Sequence, residues 1–509
     1  MKKYLCLFCF LILLIFSASL SAQIRSDFMI DPDTSYSQGH PAVAFDDNGN
    51  WHIIYSIYDS TAGSFIKHAI YNSEGDLIRY PHLITEKPYL LWNYQIATNG
   101  NHTVVAFDEG LHVGGKAILA QVLTLNGDHA VPHLAIPHIY ESTSFNDVSF
   151  VTDTTFFVVY LDYKYPLQHQ TTNFQTCTTS GKLLGDPIAV NDDTLSFHYI
   201  CGIATICSNI AAQRIAIIWE DNSTGIFQLY GRLYSPDGNP RNDRFMITAG
   251  NNDNSHWWVA ADMDSKGDIA VVWSARVDTC WHIYLRSFFA DGTPNGAIIK
   301  VNQSDDAGYV PLPDISIDHD GKFVVVWDEY NPPFIKILAQ RFIKGAIPVG
   351  ENFMISTNTV SSYQTAPAVL LRNNSIYTAW RDERIPGRKN RKRLIWANIL
   401  DFDNPTSVSA PNKQQNASNA ISIENYPNPF NSQTMITYDL PRNESVNLKI
   451  YDILGKEVIT LIKEHKPAGI HRIIWNGQNN EGGDVTSGIY FICLNTERML
   501  QVKKVVLVR

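Results

Sequence analysis

The chain repeats one pattern about every 50 residues, from residue 23 to about residue 403. Each unit has a short strand, a tight turn with Asp or Asn and Gly, and a second apolar strand ending in an aromatic residue. The clearest copies are residues 41–55, 259–273 and 313–327. The glycine supplies the positive φ that a hairpin turn needs. Third and fourth strands follow, for example at 227–234 and 244–248. Units of this kind predict an all-β fold, a β-propeller with one blade per unit.

The number of aromatic residues that end second strands predicts the number of blades. They are Tyr55, Phe107, Tyr160, Trp219, Trp273, Trp327 and Trp380. A seven-bladed propeller over residues 23–403 is therefore predicted, and six or eight blades stay open because the third and fourth units are less regular. The seventh unit runs into Asp403 without a fourth strand, whereas residues 26–30 match the fourth strands at 243–247 and 351–355. We predict that this N-terminal strand completes the last blade and leaves no open sheet edge.

The sequence predicts separate segments at the two ends of the chain. Residues 1–22 have Lys2 and Lys3, a short apolar run and a small-residue cleavage site, which predicts a signal peptide. No other apolar run approaches membrane length, so no transmembrane segment is expected in the mature chain. Residues 404–420 are rich in Asn, Ser, Pro and Gln and predict a linker. Residues 421–509 alternate inward and outward side chains between Pro, Gly and Asn turns, which predicts a small immunoglobulin-like β-sandwich.

The last segment also carries motifs in a fixed order. They are residues 425–430 (Asn-Tyr-Pro-Asn-Pro-Phe), 450–458, 467–471, 475–477 (Trp-Asn-Gly), 487–491 and 503–508. In that order they resemble the C-terminal sorting domain of type IX (Por) secretion cargo. An ordinary immunoglobulin-like module, similar to that of flagellar hook-capping proteins, is the alternative. The residues that carry the resemblance are Tyr426, Pro427, Asn428, Pro429, Phe430, Gly455, Gly488, Tyr490, Lys503 and Lys504.

The resemblance implies a partner and a compartment. The partner is the type IX secretion machinery, which would bind the C-terminal domain. The compartment is the outer cell surface or the medium, reached through the periplasm. The resemblance says nothing about what the propeller does there.

Charge and motif content exclude several function classes. The formal net charge is −10, and the propeller and linker together carry about −13, because the tail has nine acidic and ten basic residues and the signal adds two lysines. An acidic domain disfavours nucleic acid as a partner. No GxSxG, HExxH, P-loop or Rossmann spacing occurs, nor any Cys/His spacing for zinc. No metal site and no cofactor are expected, although a structural cation such as calcium stays open. The chain is expected to be a monomer.

Candidate ligand-binding residues lie in units five, six and seven, at the entry to the inner strand of unit five and in the loops between strands two and three. They are His256, Trp257, Trp258, Arg276, Trp281, Asp328, Glu329, Arg381 and Arg384. Indoles beside an Arg are typical of sugar binding, because the apolar face of a sugar packs on aromatic rings. The acids could bind a cation or supply acid/base chemistry. The basic loop at 381–393 suits an anionic glycan or a surface phosphate. The alternatives are indoles packed between blades, turn-forming acids and a solvated loop.

Three functions stay open. The first is a secreted or cell-surface propeller, exported by type IX secretion, that binds an extracellular glycan or protein. The second is a glycosidase or lyase, since the repeat is loosely similar to sialidase-like, BNR-type proteins. Against it, the Asp-box pattern does not occur cleanly, and the Arg-Ile-Pro at 384–386 lies in the last unit. The third is a structural surface or adhesion module. The sequence leans against an enzyme, and no catalytic residue is assigned.

Overall fold

The computed structural model describes most of the chain between residues 25 and 508. The described residues are 25–59, 63–85, 93–110, 116–137, 142–164, 169–191, 204–221, 227–248, 256–277, 280–303, 309–331, 334–356, 363–383, 392–403, 405, 422–426, 428–440, 443–452, 456–467, 469–496 and 500–508. The chain divides into two compact units, Met1–Val408 and Ser409–Arg509. The predicted signal peptide and almost all of the predicted linker lie outside the described residues.

The described residues of the first unit form seven four-stranded antiparallel sheets, and each sheet is a blade. The chain enters with β1 (Arg25–Met29). Blade one is β2 (Ser37–Phe45), β3 (Trp51–Asp59), β4 (Gly63–Tyr71) and β5 (Leu77–Leu83); blade two is β6 (Tyr94–Thr98), β7 (His102–Gly110), β8 (Lys116–Thr124) and β9 (Leu134–Ile136); blade three is β10 (Ser142–Phe150), β11 (Thr155–Lys164), β12 (His169–Thr178) and β13 (Leu183–Ala189).

The later blades follow the same order from the inner to the outer strand. Blade four is β14 (Ala204–Asn209), β15 (Arg214–Asp221), β16 (Gln228–Tyr234) and β17 (Phe245–Met246); blade five is β18 (His256–Met263), β19 (Ile269–Val277), β20 (Cys280–Phe288) and β21 (Ile299–Lys300); blade six is β22 (Asp314–Ile317), β23 (Phe323–Asn331), β24 (Phe334–Ile343) and β25 (Ile347–Met354); blade seven is β26 (Gln364–Arg372), β27 (Ser375–Asp382), β28 (Leu394–Asp401) and then β1.

The first strands of successive blades are neighbours around a closed ring, and β26 of blade seven also lies beside β2 of blade one. The second strands are continuous apolar runs because both of their faces are covered by adjacent blades. The predicted strand-two aromatics are all at most 1% exposed, from Tyr55 to Trp380. The predicted propeller fold is confirmed by these sheets.

The predicted hairpin turns join the first and second strands of the most regular blades. In blades one, five and six the turn glycines Gly49, Gly267 and Gly321 have φ of +82°, +88° and +80°. The Asp that opens each turn accepts backbone N–H groups through its carboxylate; Asp318 Oδ1, for example, accepts from Asp320 at 2.9 Å and Lys322 at 3.1 Å. Asx turns of this kind fix the turn locally, which explains why the repeat is visible in the sequence.

The N-terminal strand closes the ring, as predicted. β1 pairs with β28, with Phe28 opposite Ala397 and Met29 opposite Trp396. Ile30, which follows β1, is 1% exposed. Asp31 is fully buried and accepts hydrogen bonds from Tyr55 Oη and Lys67 Nζ of blade one, each at 2.7 Å. The chain therefore completes blade seven with β1 and then anchors blade one through Asp31.

The second unit is a small all-β domain with two sheets. Its strands are β29 (Ser422–Tyr426), β30 (Thr434–Leu440), β31 (Glu444–Asp452), β32 (Glu457–Lys466), β33 (Gly469–Trp475), β34 (Gly488–Thr496) and β35 (Leu500–Leu507). The sheet orders are β29-β30-β33 and β32-β31-β34-β35. Trp475, Tyr438 and Phe430 lie in one apolar core with residues of both sheets. This is the predicted small β-sandwich.

Candidate functional site at the entry face

One end of the blades gathers the sequence-predicted site residues. At this end, which we call the entry face, the first strands begin, the second strands end and the third strands begin. In blade five the backbone of Trp257 pairs with Ser274, and Arg276 pairs with Trp281. Glu329 and Arg381 occupy the corresponding ends of β23 and β27. Arg384 lies outside the described residues. The remaining predicted residues thus share one face of blades five, six and seven.

Trp258 is the extra residue of a β-bulge at the start of β18. Trp257 lies opposite Ser274 and Val259 lies opposite Trp273, so no residue of β19 pairs with Trp258. Its φ is +51°, in the left-handed region, and its side chain is 47% exposed. A bulky residue in that region is a steric outlier, and bulges of this kind commonly re-aim a side chain beside a binding site. At the same end of blade five, Arg276 is exposed and Trp281 is half-buried.

The two acids predicted in blade six are engaged with the protein itself. Asp328 is fully buried. Its carboxylate accepts hydrogen bonds from Leu312 N at 2.7 Å, Ala366 N at 3.0 Å and Tyr309 Oη at 2.9 Å. Burial raises the pKa of Asp328 to about 6 in spite of these bonds. Glu329 accepts the indole N–H of Trp327 at 2.9 Å. Asp328 therefore joins blade six to blade seven and positions Tyr309.

Arg381 is the centre of a second group on the entry face. Its Nε donates to Thr365 Oγ1 at 3.0 Å. Burial, and then the charge of Arg393, lower the pKa of Arg381, while Tyr94, Asp328 and Tyr309 lie close enough to favour its charged form. These neighbours belong to blades two and six. Since they sit at or beside the inner strands that surround the propeller axis, the guanidinium of Arg381 points toward that axis.

A stacked pair from blades one and two completes the Arg381 group. The rings of His40 and Tyr94 are parallel within 3° at a centroid distance of 4.8 Å. Tyr94 Oη accepts the backbone N–H of Ser56 at 3.0 Å and donates to the carbonyl of His40. Burial, and then the positive charge of Arg381, lower the pKa of His40 to about 4. Burial raises the pKa of Tyr94 to about 12. Both rings are therefore neutral at physiological pH.

Sequence reasoning missed His40, Tyr94 and Tyr309, which lie in segments far apart in the chain. A signal for part of the group does exist in the repeat. The residues immediately after the strand-two aromatics are Ser56, Asp108, Leu161, Glu220, Ser274, Asp328 and Arg381. Those of blades one, five and six contact the next inner strand or its entry loop: Ser56 Oγ lies 3.3 Å from Tyr94 Oη, and Asp328 accepts from Ala366 N at 3.0 Å. Ser274 Oγ, for example, donates to Pro311 O of blade six at 2.6 Å. Arg381 is the one cation at this position. Glu220 occupies this position in blade four, and burial raises the pKa of its carboxyl to about 9.

Three further carboxyls link the inner strands of adjacent blades. Asp147 accepts from Ile206 N at 3.0 Å, Asp262 from Ile317 N at 2.7 Å and Asp314 from Val369 N at 2.8 Å. Burial raises the pKa of Asp147 and Asp262 to about 6 and that of Asp314 to about 7. The negative charges of Asp262 and Asp147 add to the shift of Asp314. These carboxyls hold the inner ring together.

The raised pKa of Asp314 predicts a pH-dependent stability difference for Asp314→Asn. Between about pH 4 and pH 7 the unfolded chain has lost this proton while the native protein keeps it. The free energy of unfolding of the parent protein therefore falls as pH rises through that window. Asn cannot ionise, so the variant should gain relative stability with pH, by up to about 1.4 kcal/mol per pH unit. Denaturant titrations across the window measure this slope, and a difference that does not change with pH would contradict the assignment.

One group of described residues has the spacing of metal ligands. Asp318, His319 and Asp320 bring a ligand atom each within 4.8 Å of one another. They lie in the turn between β22 and β23, at the end of blade six opposite the entry face. Asp318 is occupied as the turn-forming Asp, and His319 and Asp320 are exposed. Nothing else in the structure points to a ligand there.

The sorting motif of the second unit fastens the last strand. Asn428 Oδ1 accepts from Val506 N at 2.7 Å, and its Nδ2 donates to Lys504 O at 3.0 Å. Phe430 exchanges backbone hydrogen bonds with Val506 and Val508, and its side chain is 2% exposed. Gly488 begins β34, Tyr490 is buried, and Pro429, Lys503 and Lys504 are exposed. The backbone of Tyr426 pairs with Met435. Pro427 and Gly455 lie outside the described residues.

Comparisons with known proteins were made for the sequence and for the fold. No curated protein matches the sequence. The fold is similar to the β-propeller domain of the Trilobed protease from Pyrococcus furiosus (9% identity, TM-score 0.43, 73% of this chain and 99% of that one). It is also similar to the phage phi92 endosialidase (8% identity, TM-score 0.45, 79% and 58%) and to a Penicillium chrysogenum alpha-L-arabinanase (10% identity, TM-score 0.41, 74% and 98%). At this distance we carry no activity over from them.

The decisive comparison concerns the tail. Residues 424–508 match the family described as "Secretion system C-terminal sorting domain". Among the described residues, no helix has the length and apolar character needed to cross a membrane. The sequence motifs, the fold of the second unit and the family match agree: this unit is a type IX sorting domain, and the protein is exported to the cell surface or the extracellular space.

Proposed function

We propose that this exported propeller binds an extracellular glycan on the entry face of blades five to seven. The observation that carries the proposal is Trp258, a half-exposed indole held at a φ of +51°. Backbone strain of this kind costs on the order of 1–3 kcal/mol and persists mainly where it serves a site. Arg276 and Trp281 lie at the same end of blade five and supply a cation and a second indole.

The alternatives are less well supported by the described residues. A glycosidase needs two free carboxyls about 5–10 Å apart. The two acids predicted in blade six are already engaged, Asp328 by three donors and Glu329 by an indole. A purely structural module accounts for a left-handed residue in this bulge, as at Ala366 of blade seven, whose N–H bonds Asp328, but not for a half-exposed indole at that position. A protein ligand remains compatible with the same surface, and a glycan is favoured because flat indole faces suit sugar rings.

Trp258→Gly separates binding from stability. Glycine adopts a positive φ at no steric cost, so we expect the melting temperature of the mature protein to stay unchanged or rise. Loss of the indole should weaken glycan binding by at least about tenfold, since contact aromatics of this kind are worth roughly 2 kcal/mol. A glycan array identifies the ligand, and calorimetric titration of parent and variant measures the change.

Ala366→Gly is the matched control. Ala366 lies in the corresponding inner-strand bulge of blade seven with a φ of +53°, so its replacement relieves similar strain without removing an aromatic ring. It should bind as the parent does. If the array shows no bound glycan, or if Trp258→Gly binds normally, the proposed site is wrong. Hydrolysis of glycosidase substrates by the parent protein would favour the enzymatic alternative.

A further inference from the structure

Arg381 directs its guanidinium toward the propeller axis, and the described residues leave most of its N–H donors without a partner. Its Nε is bonded to Thr365 Oγ1. Within the described part of the chain, its two terminal nitrogens make no hydrogen bond or ion pair. Arginine carries five N–H donors in a planar fork and is not deprotonated in proteins. Most of the hydrogen-bonding capacity of this charged group is therefore unused by the described residues.

The carboxylates near Arg381 already have other partners. Asp328 is held by three donors of blades six and seven. Glu383 pairs with Arg393, with an Nε–Oε1 distance of 3.0 Å. Asp382 accepts from Gln364 Nε2 and Trp380 Nε1, each at 3.1 Å. These carboxylates thus accept hydrogen bonds from other donors, and none of them is hydrogen-bonded to the Arg381 fork.

The other side chains around the Arg381 guanidinium are neutral and polar. His40 carries no charge above about pH 4, and its ring makes no hydrogen bond within the described residues. A neutral imidazole still offers one N–H donor. Tyr94 and Tyr309 are held in place by their own hydrogen bonds. An arginine fork with a spare imidazole donor beside it suits bidentate recognition of an oxyanion.

We propose that Arg381 binds the carboxylate or sulfate group of an acidic glycan, with His40 as a second donor. This inference rests on the proposed glycan-binding function and names its ligand class. Trp258 would then contribute apolar contact with a sugar ring on the same face, and Arg381 would supply selectivity for charge.

The test compares charged and neutral glycans on the mature full-length protein. An array that holds uronate-containing, sulfated and uncharged glycans is followed by calorimetric titration of an oligogalacturonate, a sulfated galacto-oligosaccharide and a neutral galacto-oligosaccharide of equal length. We expect the charged glycans to dominate the array and at least one charged oligosaccharide to bind at least about tenfold more tightly than the neutral one. A charge-assisted contact is worth roughly 1.5–3 kcal/mol, which corresponds to about 10- to 100-fold. Preference for the uronate or for the sulfate identifies the anion.

Variants locate the contact. Arg381→Gln should lose about 10- to 100-fold in affinity for the charged oligosaccharide and none for the neutral one. Arg381→Lys keeps the charge without the fork and should fall between. Lys266→Gln is the control, because it removes an equal charge at an exposed residue in the turn between β18 and β19, at the end of the blades opposite the entry face. Its effect should stay below about threefold, since exposed charges are screened.

Two outcomes separate this inference from the function on which it rests. If neutral glycans bind as tightly as charged ones and Trp258→Gly abolishes that binding, the glycan site stands and the anion site is overturned. If no glycan of any charge binds, both are overturned. The comparison of charged and neutral ligands uses the parent protein alone. It therefore tests the inference even if Arg381→Gln folds poorly.

Discussion

Removal of residues 421–509 should abolish delivery of the protein to the cell surface and the medium, leaving the propeller in the periplasm. The physical basis is the division into two compact units: the sorting domain has its own apolar core, and the propeller closes on itself through β1. Loss of the tail should therefore remove the transport signal without unfolding the propeller. Cell fractionation with protease accessibility measures the location, and resistance of the retained fragment to proteolysis measures its fold.

A point variant tests the same prediction without a truncation. Asn428→Ala removes the two side-chain hydrogen bonds that hold β35, at 2.7 and 3.0 Å. We expect reduced export with an unchanged propeller. Asn479→Ala, in an exposed turn of the same domain, is the control. Arrival of the truncated protein at the surface would show that residues 421–509 are not the export signal.

Deletion of residues 25–35 should lower the melting temperature of the propeller by roughly 10 °C. The deletion exposes the edge of β28, removes buried Ile30 and leaves Tyr55 and Lys67 without Asp31. Burial of Ile30 is worth about 2–3 kcal/mol, and breaking a buried ion pair costs about 3–5 kcal/mol. Each kcal/mol shifts the midpoint of a large domain by about 2 °C. Thermal unfolding followed by circular dichroism measures the change.

Two substitutions give a finer version of this experiment. Asp31→Ala should account for about 3–5 kcal/mol of the loss, because Asp31 is fully buried and Lys67 is only 12% exposed. Asp33→Ala is the matched control: Asp33 also pairs with Lys67, at 3.7 Å, but is 36% exposed. An exposed pair is worth less than about 1 kcal/mol. Equal effects of the two substitutions, or an unchanged midpoint after the deletion, would contradict the role of closure given to this segment.

Much of the propeller was predictable because its determinants are local. The turn Asp and Gly residues, such as Asp318 and Gly321, act within a few positions of one another, so each blade carries its own signal. The strand-two aromatics are buried between blades and therefore recur with the repeat. The match of residues 26–30 to other fourth strands predicted the closure because β1 occupies the same place in its sheet as β17 and β25 do in theirs.

The candidate site was predictable only in part. Trp258 and Arg381 stood out as departures from the repeat, and both lie on the entry face. The left-handed backbone of Trp258 could not be read from the sequence, because nothing local in a His-Trp-Trp run requires a bulge. The occupation of Asp328 by three donors could not be read either, since they come from the entry loop of blade six and from the inner strand of blade seven.

The sequence by itself determined the fold class, the closing strand and the export route, because each depends on short sequence patterns whose structural effect is local. Only the tertiary structure placed His40, Tyr94 and Tyr309 beside Arg381. These residues come from blades one, two and six, and closure of the ring brings segments more than 300 residues apart to one end of the axis. Whether the fork of Arg381 is neutralised or left open depends on which carboxylates the neighbouring blades have already engaged, and no single segment contains that information.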